Sequence, residues 1–141
     1  KRAVLGASET ADEVETRIEH LRQALVDTPA ADPALMAELE GLKDRLDAML
    51  LELEGDRTRA ERNVFTPPSI RSRVNRIASD MWNHTQPPTT THRQALAWAK
   101  DAFATELDRL QALVADLESL EARAEAAGAP WTPGRVPTWT P

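Results

Sequence analysis

The sequence predicts an all-α protein: an antiparallel four-helix bundle followed by an extended C-terminal tail. Apolar residues recur at alternating spacings of three and four along most of the 141-residue chain, which is the period of one helix face rather than of a strand. Alanine, leucine, glutamate and arginine dominate these stretches, and all four favour helix. Most of the ten prolines stand between the stretches, where they separate one predicted helix from the next.

The first predicted helix covers residues 3–28. Gly6 is a weak helix former, and Thr10 with Glu13 matches a capping box, so a later start is the alternative. The apolar stripe keeps its register across Gly6, which favours one continuous helix. Pro29 ends the helix, because the residue before a proline is steered out of the helical region. The stripe consists of Val4, Ala7, Ala11, Val14, Ile18, Leu21 and Leu25.

The second predicted helix covers residues 33–54. Asp32 is a good N-cap and Pro33 suits the first helical position, while Gly55 is a natural stop. Only a short link separates this helix from the first, so the two are expected to form an antiparallel hairpin. Its stripe consists of Leu35, Leu39, Leu42, Leu46, Met49 and Leu53.

The third predicted helix covers residues 67–83 and follows an arginine-rich connector that runs over residues 56–68. Pro87 and Pro88 break the chain after it. Its apolar positions are Ile70, Val74, Ile77 and Met81, with Trp82 beside them.

The fourth predicted helix covers residues 91–127 and is opened by a capping box of Thr91 and Gln94. Its length of about 55 Å, against about 33 Å for the second helix, lets it back both the first hairpin and the third helix. The heptad-like spacing of all four stripes predicts packing at roughly +20° as a left-handed bundle. Its face consists of Leu96, Ala99, Phe103, Leu107, Leu110, Val114, Leu117, Leu120 and Ala124.

Residues 129–141 form the predicted tail, and residues 1–128 the bundle. Trp-Thr-Pro occurs twice in the tail, at Trp131 and Trp139, and this proline density favours an extended, polyproline-like path. Two free tryptophans are costly to expose to water, so the tail is expected to dock on the bundle or on a neighbouring domain.

Charge and composition exclude several classes of function. The chain has no cysteine and a net charge of −6, which removes thiolate chemistry and makes it a poor general binder of nucleic acid. Residues 1–56 carry 6 basic and 14 acidic side chains, whereas residues 57–76 carry 6 arginines and a single glutamate. No apolar run is long enough to span a membrane. Only residues 57–76 could serve a polyanion.

The candidate chemical sites are sparse. Asp80, His84 and His92 have a spacing that could hold a metal, but turn and capping roles explain them better. The many paired carboxylates fall on outer helix faces, and no nucleophile or phosphate-binding motif appears. We therefore expect no catalytic, cofactor-binding or metal-binding residue, and a chain that is not an enzyme.

The interaction candidates are arginines and tryptophans. Arg71, Arg73 and Arg76 cannot all share one helix face, so they either pair with acidic faces of the other helices or form part of a partner surface. A phosphate-reading surface would also need exposed aromatic residues among them, and only Phe65 qualifies. The complete set of candidates is Trp82, Trp131, Trp139, Arg71, Arg73 and Arg76.

Four segments carry a family resemblance: GDRTRAERN at residues 55–63, TPPSIRSRV at 66–74, AAGAPWTPGR at 126–135, and the stretch 82–93 with its TQPPTTT run. Together they resemble the C-terminal helical region of large bacterial proteins that begin with a sortilin-like propeller of BNR (Asp-box) repeats. Such proteins are often labelled glycosyl hydrolases. The resemblance covers nearly the whole chain and is strongest from residue 55 onward.

The resemblance implies the tail module of a larger exported protein, secreted, periplasmic or on the cell surface, whose upstream propeller is its partner. It assigns no catalytic residue to this chain. The expected function is a non-catalytic structural or protein-interaction module. The alternatives are polyanion binding through the cluster Arg57–Arg76, an accessory segment of a propeller glycoside hydrolase, and self-association as a coiled coil.

Overall fold

A computed structural model describes residues 1–62, 64–83 and 89–139 and, for Arg57 and Asn83, the backbone alone. Helix accounts for 77% of these residues and none of them lies in a strand, so the predicted all-α class is confirmed. No helix in this part of the chain is both long and apolar enough to cross a membrane. The described residues form five helices: α1 (Arg2–Val26), α2 (Pro33–Glu54), α3 (Arg57–Glu61), α4 (Ile70–Asn83) and α5 (Thr90–Ala126).

The first helix is continuous through Gly6, as its stripe predicts. The capping-box interpretation of Thr10 and Glu13 is wrong, because the Thr10 hydroxyl lies inside α1 and donates to the Gly6 carbonyl at 2.9 Å. The helix ends at Val26, two residues before the predicted bound. Thr28 lies just beyond and its hydroxyl donates to the Ala24 carbonyl at 2.8 Å, which satisfies one of the free carbonyls of the last turn.

The second helix has the predicted bounds because both of its ends are encoded locally. The Asp32 carboxylate accepts from the Ala34 N–H at 2.8 Å, and Pro33 takes the first turn. Gly55 follows with φ of 91°, a conformation that glycine adopts without strain. A Cβ at Gly55 would also lie 3.4 Å from the Cβ of Ser69, so this position brings the start of α4 close to the end of α2.

The connector differs from the prediction in two ways. Residues 57–61 form the short helix α3, in which the Asp56 carboxylate accepts from the Arg59 N–H at 2.9 Å. The next helix begins at Ile70 rather than at residue 67. Ser69 is the reason, because its hydroxyl oxygen accepts from the Ser72 N–H at 3.2 Å and so acts as the N-cap.

The long helix begins one residue earlier than predicted. Thr89, not Thr91, is its N-cap, and the Thr89 hydroxyl oxygen accepts from the His92 N–H at 3.2 Å. The capping box of Thr91 and Gln94 is therefore wrong. The helix ends at Ala126, before Gly128 with φ of 91°. The predicted break at Pro87 and Pro88 lies outside the described residues.

Helix α5 contacts α1, α2 and α4. It runs antiparallel to α2, since Arg45 pairs with Asp116 at 2.6 Å and Arg123 with Glu38 at 2.5 Å. It runs parallel to α1. Ala7 and Leu110 line one cavity, and the pair Arg17–Glu121 lies further towards the C-terminal end of both helices. The last turns of α2 lead through α3 to α4, which lies along the N-terminal half of α5.

The core is formed by α1, α2 and the C-terminal half of α5, joined by Ile70 of α4. Every predicted stripe residue of α1 and α2 is buried. On α5 the predicted face is only partly right: Leu107 and Val114 are half-buried, whereas Glu106 and Leu113 are buried. This helix packs on α1 at one side and on α2 at the other, so its buried face is wider than one stripe. The large apolar residues with least exposure are Val14, Ile18, Leu21, Leu39, Leu46, Leu53, Ile70, Leu113, Leu117 and Leu120.

Candidate interaction surface

A groove runs between α4 and the first turns of α5. It encloses about 470 Å³, which is within the range of ordinary ligand pockets. Ile77 is buried and forms an apolar floor with Ala95 and Pro68. Its polar side chains come from both helices. We call this the α4–α5 groove, lined by Pro68, Arg73, Arg76, Ile77, Asp80 and His92.

Arg73 is held in place on the wall of the groove. Its guanidinium carbon lies 4.2 Å from the centroid of the Trp98 ring, and its Nε donates to the Pro68 carbonyl at 3.2 Å. A guanidinium stacked on an indole is stabilised by about 0.5–1 kcal/mol at an exposed site. The two terminal nitrogens of Arg73 make no hydrogen bond with the described residues, so the edge of the guanidinium is open to solvent.

Arg76 lies one turn further along the same face of α4. It is exposed and forms no ion pair with any residue that the structure describes. Asp80 is the acidic side chain among the described residues that line the groove, and its Oδ2 lies 3.3 Å from His92 Nε2. The groove therefore offers two arginines, while its carboxylate already faces a histidine.

A second cavity, of about 250 Å³, shares Pro68 and Arg73 with the α4–α5 groove. Its walls also include Trp98, Glu52 and Asp56. Asp56 is engaged by Arg59 at 3.7 Å. Arg73 thus lines both the groove and a cavity near the end of α2.

The third candidate arginine, Arg71, has a structural role. Its Nη1 donates to both carboxylate oxygens of Glu54, at 2.8 and 2.9 Å. Glu54 also accepts a hydrogen bond from the Ser8 hydroxyl of α1. This cluster links α4 to both helices of the first hairpin, which is the pairing with acidic helix faces that the sequence offered as one alternative. The side chain of Arg57 lies outside the described residues.

Two aromatic side chains near the groove are almost fully in solvent. Trp82, at the C-terminal end of α4, is 91% exposed, and Phe65, in the connector, is 89% exposed. Neither is among the residues that line the α4–α5 groove. Met81 and Val64 beside them are also exposed. The structure thus brings Arg73 and Arg76 into one groove but keeps Trp82 outside it.

The tail contacts α5 through Arg135. Its Nη2 donates to Glu125 Oε2 at 2.8 Å and its Nη1 to Glu121 Oε2 at 3.3 Å. The hydrogen bonds to Glu125 raise the pKa of Arg135 above its ordinary value. The same guanidinium lies 5.9 Å from the ring of Trp131. Trp139, four residues after Arg135, is exposed.

Three residues that the structure places in notable contacts were not among the sequence-based candidates: Trp98, Glu106 and Glu121. Trp98 gains its importance from Arg73, which lies on another helix. Glu121 is 1% exposed and Glu106 is 6% exposed, so the prediction that the paired carboxylates lie on outer helix faces is wrong for Glu121. The sequence contained a signal for both glutamates. Glu121 lies four residues after Leu117 and Glu106 four residues before Leu110, which places them on the buried side of α5.

The metal interpretation gains no support. Among the described residues, no group of three or more histidine, aspartate or glutamate side chains is placed to hold a metal ion. His92 and Asp80 form a pair, and His84 lies outside the described residues.

No protein-family model, curated protein or solved structure matches this chain.

Proposed function

We propose that the chain is a non-catalytic protein-interaction module that binds its partner with the α4–α5 side. One observation carries this proposal: in the described part of the chain, most exposed large apolar side chains belong to the connector, α4, α5 and the tail. Ten large apolar residues are exposed there, and two of them, Val26 and Leu51, belong to α1 and α2. The others are Val64, Phe65, Met81, Trp82, Trp98, Trp131, Val136 and Trp139.

The physical reason is the hydrophobic effect. Trp and Phe side chains bury about 150–250 Å² each when they are covered, so a partner that covers them removes a large apolar area from water. Tryptophan and arginine are also the residues most enriched at the energetically important centres of interfaces. Trp82 and Phe65 are therefore the expected anchors, and the α4–α5 groove supplies polar contacts beside them.

The arrangement of the helices and the tail supports separate structural and binding roles. We propose that α1, α2, α4 and α5 form the predicted four-helix bundle as one module, with α4 extending along α5. The first residues of the tail are proposed to dock on that module. Thr132 and Ala129 are buried and Arg135 pairs with Glu121 and Glu125, which supports docking up to residue 135. Val136 and Trp139 stay available to a partner.

The resemblance to sortilin-like Asp-box proteins supplies the proposed partner, which is an upstream propeller domain of the same parent protein. Its test is binding in trans, by biolayer interferometry, between this chain and a propeller encoded directly upstream of Lys1. The double variant Phe65→Ser/Trp82→Ser should lose most of the binding while it keeps its helical circular dichroism spectrum.

The control is Val26→Ser, which removes an exposed apolar side chain from the C-terminal end of α1. It should bind like the wild-type chain. Wild-type binding that is unaffected by Phe65→Ser/Trp82→Ser would contradict the proposed surface, and absence of Asp-box repeats upstream would contradict the proposed partner. Sedimentation velocity of the wild-type chain separates this function from self-association.

A further inference from the structure

We infer that the α4–α5 groove binds an acidic segment of a protein partner. A carboxylate of that segment would lie between Arg73 and Arg76, and an apolar neighbour would lie against the floor formed by Ile77, Ala95 and Pro68. The inference rests on the proposed interaction function and specifies the chemistry of the partner at one site.

Preorganisation is the first argument. Arg73 is fixed by the Trp98 ring at 4.2 Å and by the Pro68 carbonyl at 3.2 Å. Its terminal nitrogens make no hydrogen bond with the described residues, which leaves their donors to a ligand. A guanidinium held in this way loses little side-chain entropy when it binds a carboxylate through two parallel hydrogen bonds.

Charge complementarity is the second argument. Arg73 and Arg76 lie three residues apart on one face of α4, and no carboxylate among the described residues neutralises Arg76. The Asp80 carboxylate in the groove is engaged by His92 at 3.3 Å. Glu52 and Asp56 line the adjoining cavity, where they face Arg59 as well as Arg73. The groove therefore presents positive charge on a chain whose net charge is −6.

The shape and composition of the groove favour a peptide over a polyanion. Arg73 covers one face of Trp98, so that face cannot stack on a nucleic-acid base. The net negative charge of the chain opposes a long polyanion, whereas a short acidic segment meets mainly the local field. The apolar floor of Ile77, Ala95 and Pro68 suits an aliphatic side chain next to the carboxylate.

The experiment uses a fluorescein-labelled peptide of alternating glutamate and leucine, with an alternating lysine–leucine peptide as the charge control. Binding to the whole chain is followed by fluorescence anisotropy at physiological ionic strength. We expect the glutamate peptide to bind and the lysine peptide not to bind. Arg76→Glu should weaken binding by about tenfold, because it replaces an attraction with a repulsion.

Arg2→Glu is the matched variant, because Arg2 is an exposed arginine on α1 and the substitution changes the net charge by the same amount. It should leave the affinity nearly unchanged. Trp98→Leu should also weaken the binding, since it removes the support of Arg73. Circular dichroism checks that each variant keeps its helices.

Any of these results would overturn the inference: no binding of the glutamate peptide to the wild-type chain, equal binding of both peptides, or equal losses in Arg76→Glu and Arg2→Glu. Displacement of the peptide by heparin at a lower concentration than by unlabelled peptide would overturn it in favour of a polyanion site. If the glutamate peptide fails while binding to the propeller still depends on Phe65 and Trp82, only the acidic ligand is wrong. If binding to the propeller fails as well, the proposed interaction function is also contradicted.

Discussion

The buried ion pair between Arg17 and Glu121 gives the sharpest stability prediction. The Glu121 carboxylate lies in the contact between α1 and α5, where Arg17 donates to it through Nε at 3.0 Å and Nη2 at 2.7 Å. The hydrogen bond to Glu121 raises the pKa of Arg17 above its ordinary value. Arg135 of the tail adds a longer contact at 3.3 Å. Arg17→Met should leave Glu121 buried with this weaker partner alone.

The expected loss follows from the burial of Glu121. Removing one partner of a buried ion pair costs about 3–5 kcal/mol in the free energy of unfolding. Arg17 itself is partly solvent-exposed and Arg135 still faces Glu121, so the lower end of about 3 kcal/mol applies here. For a domain of this size the melting temperature should fall by roughly 10 °C.

The measurement is urea and thermal unfolding followed by circular dichroism. The double variant Arg17→Met/Glu121→Leu should recover most of the loss, because it leaves no buried charge. Arg45→Met is the control: Arg45 and Asp116 pair at 2.6 Å with both side chains about half-exposed, so its loss should stay below about 1 kcal/mol. A loss for Arg17→Met no larger than that of Arg45→Met, or a double variant no more stable than Arg17→Met, would refute the reasoning.

Two further substitutions test single carboxylates. Glu106 is buried, its Oε2 has no hydrogen-bond partner among the described residues, and its Oε1 faces Arg109 at 2.9 Å. Glu106→Met should therefore raise the free energy of unfolding, measured in urea, by about 1–2 kcal/mol. A decrease would contradict this. Arg22 donates two hydrogen bonds to Glu40 and lowers its pKa below the ordinary 4.5. A lowered pKa stabilises the fold above the ordinary value and ceases to do so as the pH falls through the folded-state pKa. Glu40→Gln should therefore cost about 0.5 kcal/mol at neutral pH and nothing at strongly acidic pH; a difference that does not change with pH in urea unfolding would be incompatible with it.

The helices could be predicted where local chemistry and periodicity agree. Residues 33–54 came out with the right bounds because Asp32, Pro33 and Gly55 encode both ends. Helix α3 was missed because five residues are too short to show an apolar period. Its remaining signal is Asp56, which also suits an ordinary turn. In the same way, three consecutive threonines at the start of α5 offered several possible caps, and Thr89 is the one that caps the helix.

The interaction surface was only partly predictable, because its geometry depends on how α4 lies against α5. The rule that residues two apart face different directions correctly separated Arg71 from Arg73: one pairs with Glu54 and the other lies over Trp98. No pattern within α4 points to Trp98, since it follows Arg73 by 25 positions in the sequence. Such a contact exists only once the antiparallel alignment of the two helices is fixed.

The distribution of paired and unpaired charges explains how an acidic chain could attract an acidic partner. The basic side chains of α1 and α2 are largely engaged within the fold, as in the pairs Arg17–Glu121, Arg22–Glu40 and Lys43–Glu15. The groove lies near His92, about 44 Å along α5 from Glu121. Exposed charges are screened over about 8 Å at physiological ionic strength. A short ligand in the groove therefore meets mainly the local field, in which two arginines outnumber one carboxylate, Asp80, among the described lining residues, whereas a long polyanion would also meet the acidic helices.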